Sequence, residues 1–389
     1  MQQYYVDLHI HLGRTKSGKP VKITASKTMT LPTILHEALN RKGLNMVGII
    51  DCHVPEVQNE LEDLLSEGEM TELVGGGLCY KNLTVILGCE IEVFDEHCKG
   101  PVHVLVYFPT LAKIKEFTHW LESRLKNITL STQRIYGTAV ELQQKVKSMS
   151  GLFIPAHIFT PYKSLYGKGV ASSLVEVFDP QLIDAVELGL SADSYMADQI
   201  NELHNYTYLS NSDAHSVGKI AREYQVIQMK APTFLELRKA LHNDNNRAVV
   251  ANYGLDPKLG KYYHAVCERC FATMGLGEGC CVKCGHKKII KGVYYRIKEL
   301  KNTNSKRENR PSYIHQVPLE FIPGIGKKTL RNLLDHFQTE MAIIHQVPEK
   351  SLLRVVNRSI VNSIMNARNG TLSVETGGGG KYGRVKFKD

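Results

Sequence analysis

Apolar residues along the first two thirds of the chain fall into short β-prone runs: "MVGII", "LTVILG", "VHVLVYF", "GLFIPAH", "DAVELGL" and "YTYLSNSDAH". Between them lie stretches of helical period, among them "PTILHEALNRKG" and the residues from Leu111 to Leu125. Strand then helix, repeated, predicts an α/β fold. The run "YYVDLHIHLGR" opens this series. Alternation along a strand sends Asp7, His9 and His11 to one face and Val6, Leu8 and Ile10 to the other, so a strand that buries its apolar face displays a carboxylate and two imidazoles in one row. Further polar residues gather where the apolar runs stop. Asp51 and His53 follow "VGII", Glu90 follows "VILGC", His103 sits in "PVHVLVY", His157 follows "FIPA", and Asp213 with His215 follows "YLSNS". Barrel-like α/β proteins build their sites at these strand ends.

Two polar stretches interrupt the pattern. "LDPKLGKYYHAV" reads as a linker into a cysteine-rich segment, and "KNTNSKRENRPS" as a connection to the last segment. The expected units are a catalytic barrel over 1–255, a zinc-binding module over 256–295 and a basic, mainly helical region over 296–389. Net charge sharpens that division. The chain carries +9 overall, but residues 258–389 hold 24 Lys plus Arg against 10 Asp plus Glu, or +14, and residues 1–257 hold 24 against 29, or −5. A basic module joined to an acidic one points to a polyanion held by the tail. No window approaches the length of apolar sequence that spans a bilayer, and the N-terminus lacks a secretory pattern, so a cytoplasmic, nucleoid-associated protein without a membrane partner is expected.

The six strand-end histidines with Asp7, Asp51, Glu90 and Asp213 suit two or three zinc or manganese ions bridged by a carboxylate, rather than a calcium or magnesium site made only of oxygens, since imidazole selects borderline metals; Zn²⁺ is the first expectation, with Mn²⁺ or Mg²⁺ as alternatives. Cys267-x-x-Cys270 and Cys281-x-x-Cys284 form a paired thiolate motif for one structural Zn²⁺, with Cys280 and His286 as possible substitutes. Farther on, "FIPGIGKKTLRNLLDHF" places Gly324 and Gly326 before Lys327, Lys328 and a helical pattern, resembling a helix-hairpin-helix. Glycines there let backbone amides approach a DNA phosphate at a helix N-terminus. The terminal "TGGGGKYGRVKF" suggests a loop and edge strand near nucleic acid.

"DLHIH", "DCH", "GCE", "PVHV", "PAH" and "SDAH" resemble the polymerase and histidinol phosphatase (PHP) superfamily of metal-dependent phosphoesterases, in order. That resemblance implies a distorted (β/α)7 barrel. It also implies one metal on His9, His11, Glu90 and Asp213, a second on Glu90, His103 and His157, and a third served by His215 with either Asp51 or His53. "FIPAHIFTPY", "AVELGLSAD", "NSDAH" and the final "GGKYGRV" extend the resemblance over nearly the whole chain to the endonuclease Q family of repair nucleases. It implies hydrolysis of the phosphodiester on the 5′ side of uracil, hypoxanthine, xanthine or abasic sites in damaged DNA, by a metal-activated water. The competing readings are a histidinol-phosphatase-like small-molecule enzyme and a non-catalytic nucleic-acid-binding protein. A base pocket is expected from Phe159, Tyr162 and Tyr166, with Lys163 and Lys168 for phosphate and Glu187, Ser191 and Asp193 as polar groups. The sequence identifies no protein partner such as a replication clamp.

Overall fold

The computed structural model describes residues 1–275, 279–371, 373–376 and 382–386. Seven strands close a ring: β1 (Gln2–Ile10), β2 (Met46–Ile49), β3 (Leu83–Val93), β4 (Val102–Phe108), β5 (Leu152–Pro155), β6 (Val186–Glu187) and β7 (Tyr208–Leu209). Strands β1, β2 and β3 run parallel, whereas β4 is antiparallel to both its neighbours. Backbone bonds from Asp184 to Phe153 and from Ile158 to Glu187 join β5 to β6, and β6 pairs with β7 in parallel. The ring closes where Ala214, just past β7, exchanges bonds with His9 and His11 at 3.1 Å each. The reversed β4 explains the distortion of the barrel. "EIEVFDEHCKGPVH" is too short for a crossover helix, so β3 turns back into β4 as a hairpin rather than through a βαβ unit.

Helices cover the outside of the ring. The stretch Leu31–His36 runs on as π-helical turns to Lys42, and Pro55–Ser66, Leu111–Glu122 and Ala139–Ser148 follow. Thr110 and Thr138 cap the last two, each hydroxyl accepting from the amide three residues on. Alternation divides β3 between two environments. Val85, Leu87, Cys89 and Ile91 pack with the helices, while Ile86 packs with Leu105 and Tyr107 on the other face, the face to which Glu90 belongs by period.

Strand β1 has a second neighbour along its first half, β8 (Tyr224–Met229), which pairs with β9 (Ala248–Gly254); β10 (Ser312–His315) then adds in parallel. Beyond it a second core forms from Leu319, Ile322, Leu333, Leu334, Ile343, Ile344, Val361 and Ile364, buried between short helices. The cysteine segment has its own small cluster, Cys267, Met274 and Cys281. Ser373–Glu375 and Arg384–Lys386 pair as an antiparallel ribbon. Gly377 to Lys381, within the terminal run expected to touch nucleic acid, lie outside the described residues. Among the described residues no helix is long and apolar enough to cross a membrane.

Candidate active site at the barrel mouth

Six of the seven strands deliver polar side chains to the same end of the ring, from their C-terminal halves or from the residues just past them; the antiparallel β4 delivers its second residue, His103, because its start lies at that end. Glu90 is at the centre and 2% exposed. His103 Nδ1 lies 2.8 Å and His157 Nε2 3.4 Å from Glu90 Oε1, and His9 Nε2 is 3.7 Å from the same oxygen. On Oε2, His11 Nε2 approaches to 3.4 Å. Asp213 Oδ1 stands 3.4 Å from His9 Nε2, 3.8 Å from His11 Nε2 and 3.4 Å from His215 Nδ1. The donor atoms form three groups of metal-binding size: His9, His11 and Glu90; Glu90, His103 and His157; and His11, Asp213 and His215. His157 and Asp213 hold φ of 30° and 45°, a left-handed backbone that costs about 1–3 kcal/mol and persists because the surroundings impose it. Gly189, at φ 82°, lies so close that a Cβ on it would meet His157 Cβ at 3.0 Å.

The residues behind the nest fix its donors. Glu187 receives His9 Nδ1 at 3.0 Å and the His157 amide at 2.8 Å, and Asp51 faces His11 Nδ1 at 3.2 Å. Each imidazole is thereby oriented with Nε2 toward Glu90, the carboxylate–histidine arrangement that sets the tautomer of a metal-binding ring. The Nε2 atoms of His9 and His11 are buried with no hydrogen-bond partner, as fits nitrogens that await a cation. Electrostatics agree. Burial opposes a charge on His9, but Glu187, Asp213 and Glu90 outweigh it and push the ring up to about 10. Burial alone would raise Glu90 too, yet His103 and Lys22 hold it well below the usual carboxylate range. His215 is brought down to about 4 by burial, reinforced by His11 and Lys22 and opposed by Asp213, so its ring is neutral at neutral pH.

Several expectations from the sequence need correction. Asp51 and His53 join none of the three groups. Asp51 is occupied by His11, by the Leu12 amide at 2.6 Å and by the Ser131 hydroxyl, and His53 turns toward the Leu130 carbonyl at 3.4 Å. Asp7 accepts the Ser212 and Ala221 amides, which pins the loop that carries Asp213 and His215. Glu187 lies beneath His9 as its support and, although almost fully buried, also lines the cavity. Phe159 and Tyr166 are core residues, stacked at 5.5 Å, with the Tyr166 hydroxyl on Glu202. Asp193 caps the turn Ser194–Ala197 and pairs with His315, away from the nest, and Lys168 is not at the mouth. Lys163 is at the mouth, paired with Glu92 at 2.8 Å.

Above the nest lies a cavity of about 580 Å³ whose wall includes Tyr162 and Ser191. Sequence reasoning missed other wall residues, among them Lys22, Lys219, Arg222, Lys261, Tyr262 and Tyr382. Tyr162 meets Tyr262 edge to face at 5.6 Å, and Lys261 lies 4.8 Å above the Tyr262 ring. Arg222 donates to the Ser212 and Asp213 carbonyls and to the Tyr382 hydroxyl at 3.0 Å. "LGKYY", read as linker, therefore supplies part of the site.

At the other functional candidates, the four cysteines of the paired motif converge, with Cys267 Sγ 3.6 Å from Cys284 Sγ and Cys270 Sγ 3.5 Å from Cys281 Sγ. Thiolates on a tetrahedral zinc, at roughly 2.3 Å from the ion, stand about 3.8 Å apart. Cys280 is exposed and outside the group, and His286 faces Glu268. Gly326 is the N-cap of helix Lys327–Phe337, Gly324 has φ 85°, and Lys327 and Lys328 are exposed.

A ring of strands with a histidine–carboxylate nest at one end is the build of a metal-dependent hydrolase. No family profile matches the chain. It is 54% identical over 386 residues to the uncharacterized protein YqxK of Bacillus subtilis, covering 99% of this chain and 100% of that one. It is 34% identical over 279 residues to the uncharacterized protein MJ0043 of Methanocaldococcus jannaschii, 65% of this chain and 34% of that protein. Among solved structures, the lesion-specific endonuclease PfuEndoQ from Pyrococcus furiosus superposes with a TM-score of 0.86 at 35% identity, covering 100% of this chain and 96% of that one. An endonuclease Q complex with a 27-mer duplex substrate carrying an abasic lesion at the active site gives 0.85 at 34% identity over 100% and 97%. The chain belongs to the endonuclease Q family.

Proposed function

We propose that this protein is a DNA repair endonuclease that hydrolyses the phosphodiester on the 5′ side of a deaminated base or an abasic site. The observation that carries this reading is the nest around Glu90, whose donors face a cavity walled by tyrosines, lysines and an arginine. In this reading His9, His11, Glu90 and Asp213 hold one divalent ion, Glu90, His103 and His157 a second, and the four thiolates a structural zinc. Divalent ions supply acidification of water near neutral pH and neutralisation of the charge that develops on phosphate and leaving oxygen. The chain does the rest. Glu187 and Asp51 keep the imidazoles aimed, and Arg222 fixes the Asp213 loop. Lys219 and Lys261 attract the phosphates on either side of the lesion. Tyr162 and Tyr262 offer ring faces to a base rotated out of the stack. Gly324, Gly326, Lys327 and Lys328 grip the duplex backbone elsewhere, a contact that carries no sequence information. A small-molecule phosphatase has no use for that basic tail.

The test is a nicking assay on an abasic or uracil-containing duplex, an undamaged duplex and a chromogenic phosphate monoester. Cleavage confined to the damaged duplex is expected. His9→Ala and Asp213→Ala should abolish it while DNA affinity survives. Turnover of the monoester alone, or equal loss of binding and cleavage in the variants, contradicts the reading.

A further inference from the structure

Tyr382 comes to the barrel mouth from the far end of the chain. The backbone brings it there: the Gly383 amide donates to the Leu259 carbonyl at 2.9 Å, Val385 pairs with Val374 in the terminal ribbon, and Tyr382 and Val385 pack against the second core. Its hydroxyl accepts from Arg222 Nη1 at 3.0 Å across 160 positions of sequence. Its ring stands 5.9 Å from Lys261 Nζ and 6.0 Å from the Arg222 guanidinium carbon.

The rest of that guanidinium holds the loop that carries Asp213. Nε donates to the Ser212 carbonyl at 2.7 Å and Nη2 to the Asp213 carbonyl at 3.2 Å. Asp213 keeps φ 45°, a left-handed backbone that persists only where the surroundings impose it. Asp7 secures the loop from below through the Ser212 amide, so Arg222 is its anchor on the cavity side. A guanidinium is a rigid planar fork, and a partner on one nitrogen therefore sets the direction of the other two. Arg222 is half-buried on the wall of an open cavity, and among the described residues Nη1 has no hydrogen-bond partner besides Tyr382.

We propose that Tyr382 is a positioning residue: its hydroxyl fixes Arg222, and through it the backbone of Ser212 and Asp213, so that cleavage, rather than DNA binding, depends on the C-terminal ribbon being docked at the mouth. Tyr382 makes and breaks no covalent bond. The inference rests on the nuclease reading above for the bond that is cleaved, and on the geometry alone for the state of the loop.

Two measurements on the full-length protein test it. The first is hydrogen exchange without DNA or added metal, read at the Ser212 and Ala214 amides, which are bonded to Asp7 and to the His9 carbonyl. Tyr382→Phe, which removes only the hydroxyl, should speed exchange there roughly tenfold, the scale of one hydrogen bond to a charged group, and leave the thermal midpoint unchanged. The second is single-turnover nicking. Tyr382→Phe should nick abasic and uracil-containing duplex equally, each roughly tenfold more slowly than wild type, with unchanged affinity for both. Arg222→Met should show the same losses and make Tyr382→Phe silent when the two are combined, since both act through one contact; Arg222→Lys replaces it in the cycle if that variant does not fold. Nicking by Tyr382→Phe within about twofold of wild type, below the scale of one hydrogen bond, overturns the proposal. So do losses that multiply in the double variant, a loss of DNA affinity matching the loss of rate, or a defect confined to uracil, which would make Tyr382 a direct DNA or base contact. Failure of the wild type to nick either duplex strikes the nuclease reading instead and leaves the exchange of the Ser212–Ala214 loop to decide the role of Tyr382.

Discussion

Tyr162 and Tyr166 stand four positions apart in one segment, and the structure gives them opposite fates. Tyr166 is fully buried, stacked on Phe159 and hydrogen-bonded to Glu202, whereas Tyr162 is 47% exposed on the cavity wall. Replacing Tyr166 by Ala should cost about 3–5 kcal/mol of stability, as deletion of a buried ring does, and lower cleavage of every substrate through the loss of folded protein. Tyr162→Ala should leave stability within about 0.5 kcal/mol, the range of an exposed substitution. Its cleavage of a uracil site should fall more than that of an abasic site, which has no base to stack. Urea denaturation with paired nicking assays decides, and equal loss on the two substrates removes Tyr162 from the pocket. Residue types at strand ends made the nest legible in the sequence: His9, His11, Glu90, His103, His157, Asp213 and His215 all converge. Function within the nest was less legible. Glu187 lines the cavity and also supports His9, a second role that was not legible, because which side of His9 it occupies depends on β6 lying between β5 and β7, a three-dimensional neighbourhood that spacing along the chain does not encode.

At the scale of elements, long periodic segments were readable and short ones were not. "LAKIKEFTHWLE" shows a helical period and is a helix, while β6 and β7 are two residues each, held by the ring rather than by local propensity. Linkers were the other gap. "LGKYY" has the Gly and charge of a connection, yet Gly260 packs so closely on Ser191 that a Cβ would meet its Oγ at 2.1 Å, which places Lys261 and Tyr262 at the mouth. "KNTNSKRENR" is likewise anchored, with Arg310 on Asp198 at 2.8 Å and Arg307 on the Tyr206 carbonyl. The glycine-led helix Lys327–Phe337 buries Leu333 and Leu334 and leaves its two lysines free of the core. Converting Lys327 and Lys328 together to Ala should weaken binding to damaged and intact duplex alike, and flatten the dependence of log affinity on log salt by about one to two units, as lost phosphate contacts do. Affinity measured by anisotropy over a salt series checks this. A loss confined to lesion-bearing DNA contradicts the assignment.

Over the whole molecule, the charge asymmetry between barrel and tail announced two kinds of surface but not how they join. That junction depends on contacts between residues far apart in sequence. Lys42, at the end of the first helical stretch, meets Glu340 at 2.7 Å across 298 positions, with side chains 3% and 7% exposed. Thr339 beside it packs against Gly43, His345 stacks on Tyr5 at 5.0 Å and shares a hydrogen bond with the Tyr224 hydroxyl at 2.7 Å, and β10 extends the sheet that begins at β1. A buried pair of this kind adds little net stability over an apolar replacement, because desolvation offsets attraction, but breaking one partner strands the other charge. Lys42→Ala should therefore cost about 3–5 kcal/mol, by leaving the Glu340 carboxylate buried without its ammonium. Lys42→Met combined with Glu340→Leu should recover most of that loss, since neither charge then remains. The double-mutant cycle is read from urea midpoints, with far-ultraviolet circular dichroism reporting the whole chain and tyrosine absorbance weighting the Tyr5, Tyr224 and Tyr253 junction. If the pair couples the tail to the barrel, Lys42→Ala lowers both signals together. A cost below about 1 kcal/mol, the range of an exposed pair, shows that water reaches the ion pair and that the aromatic junction alone holds the tail in place.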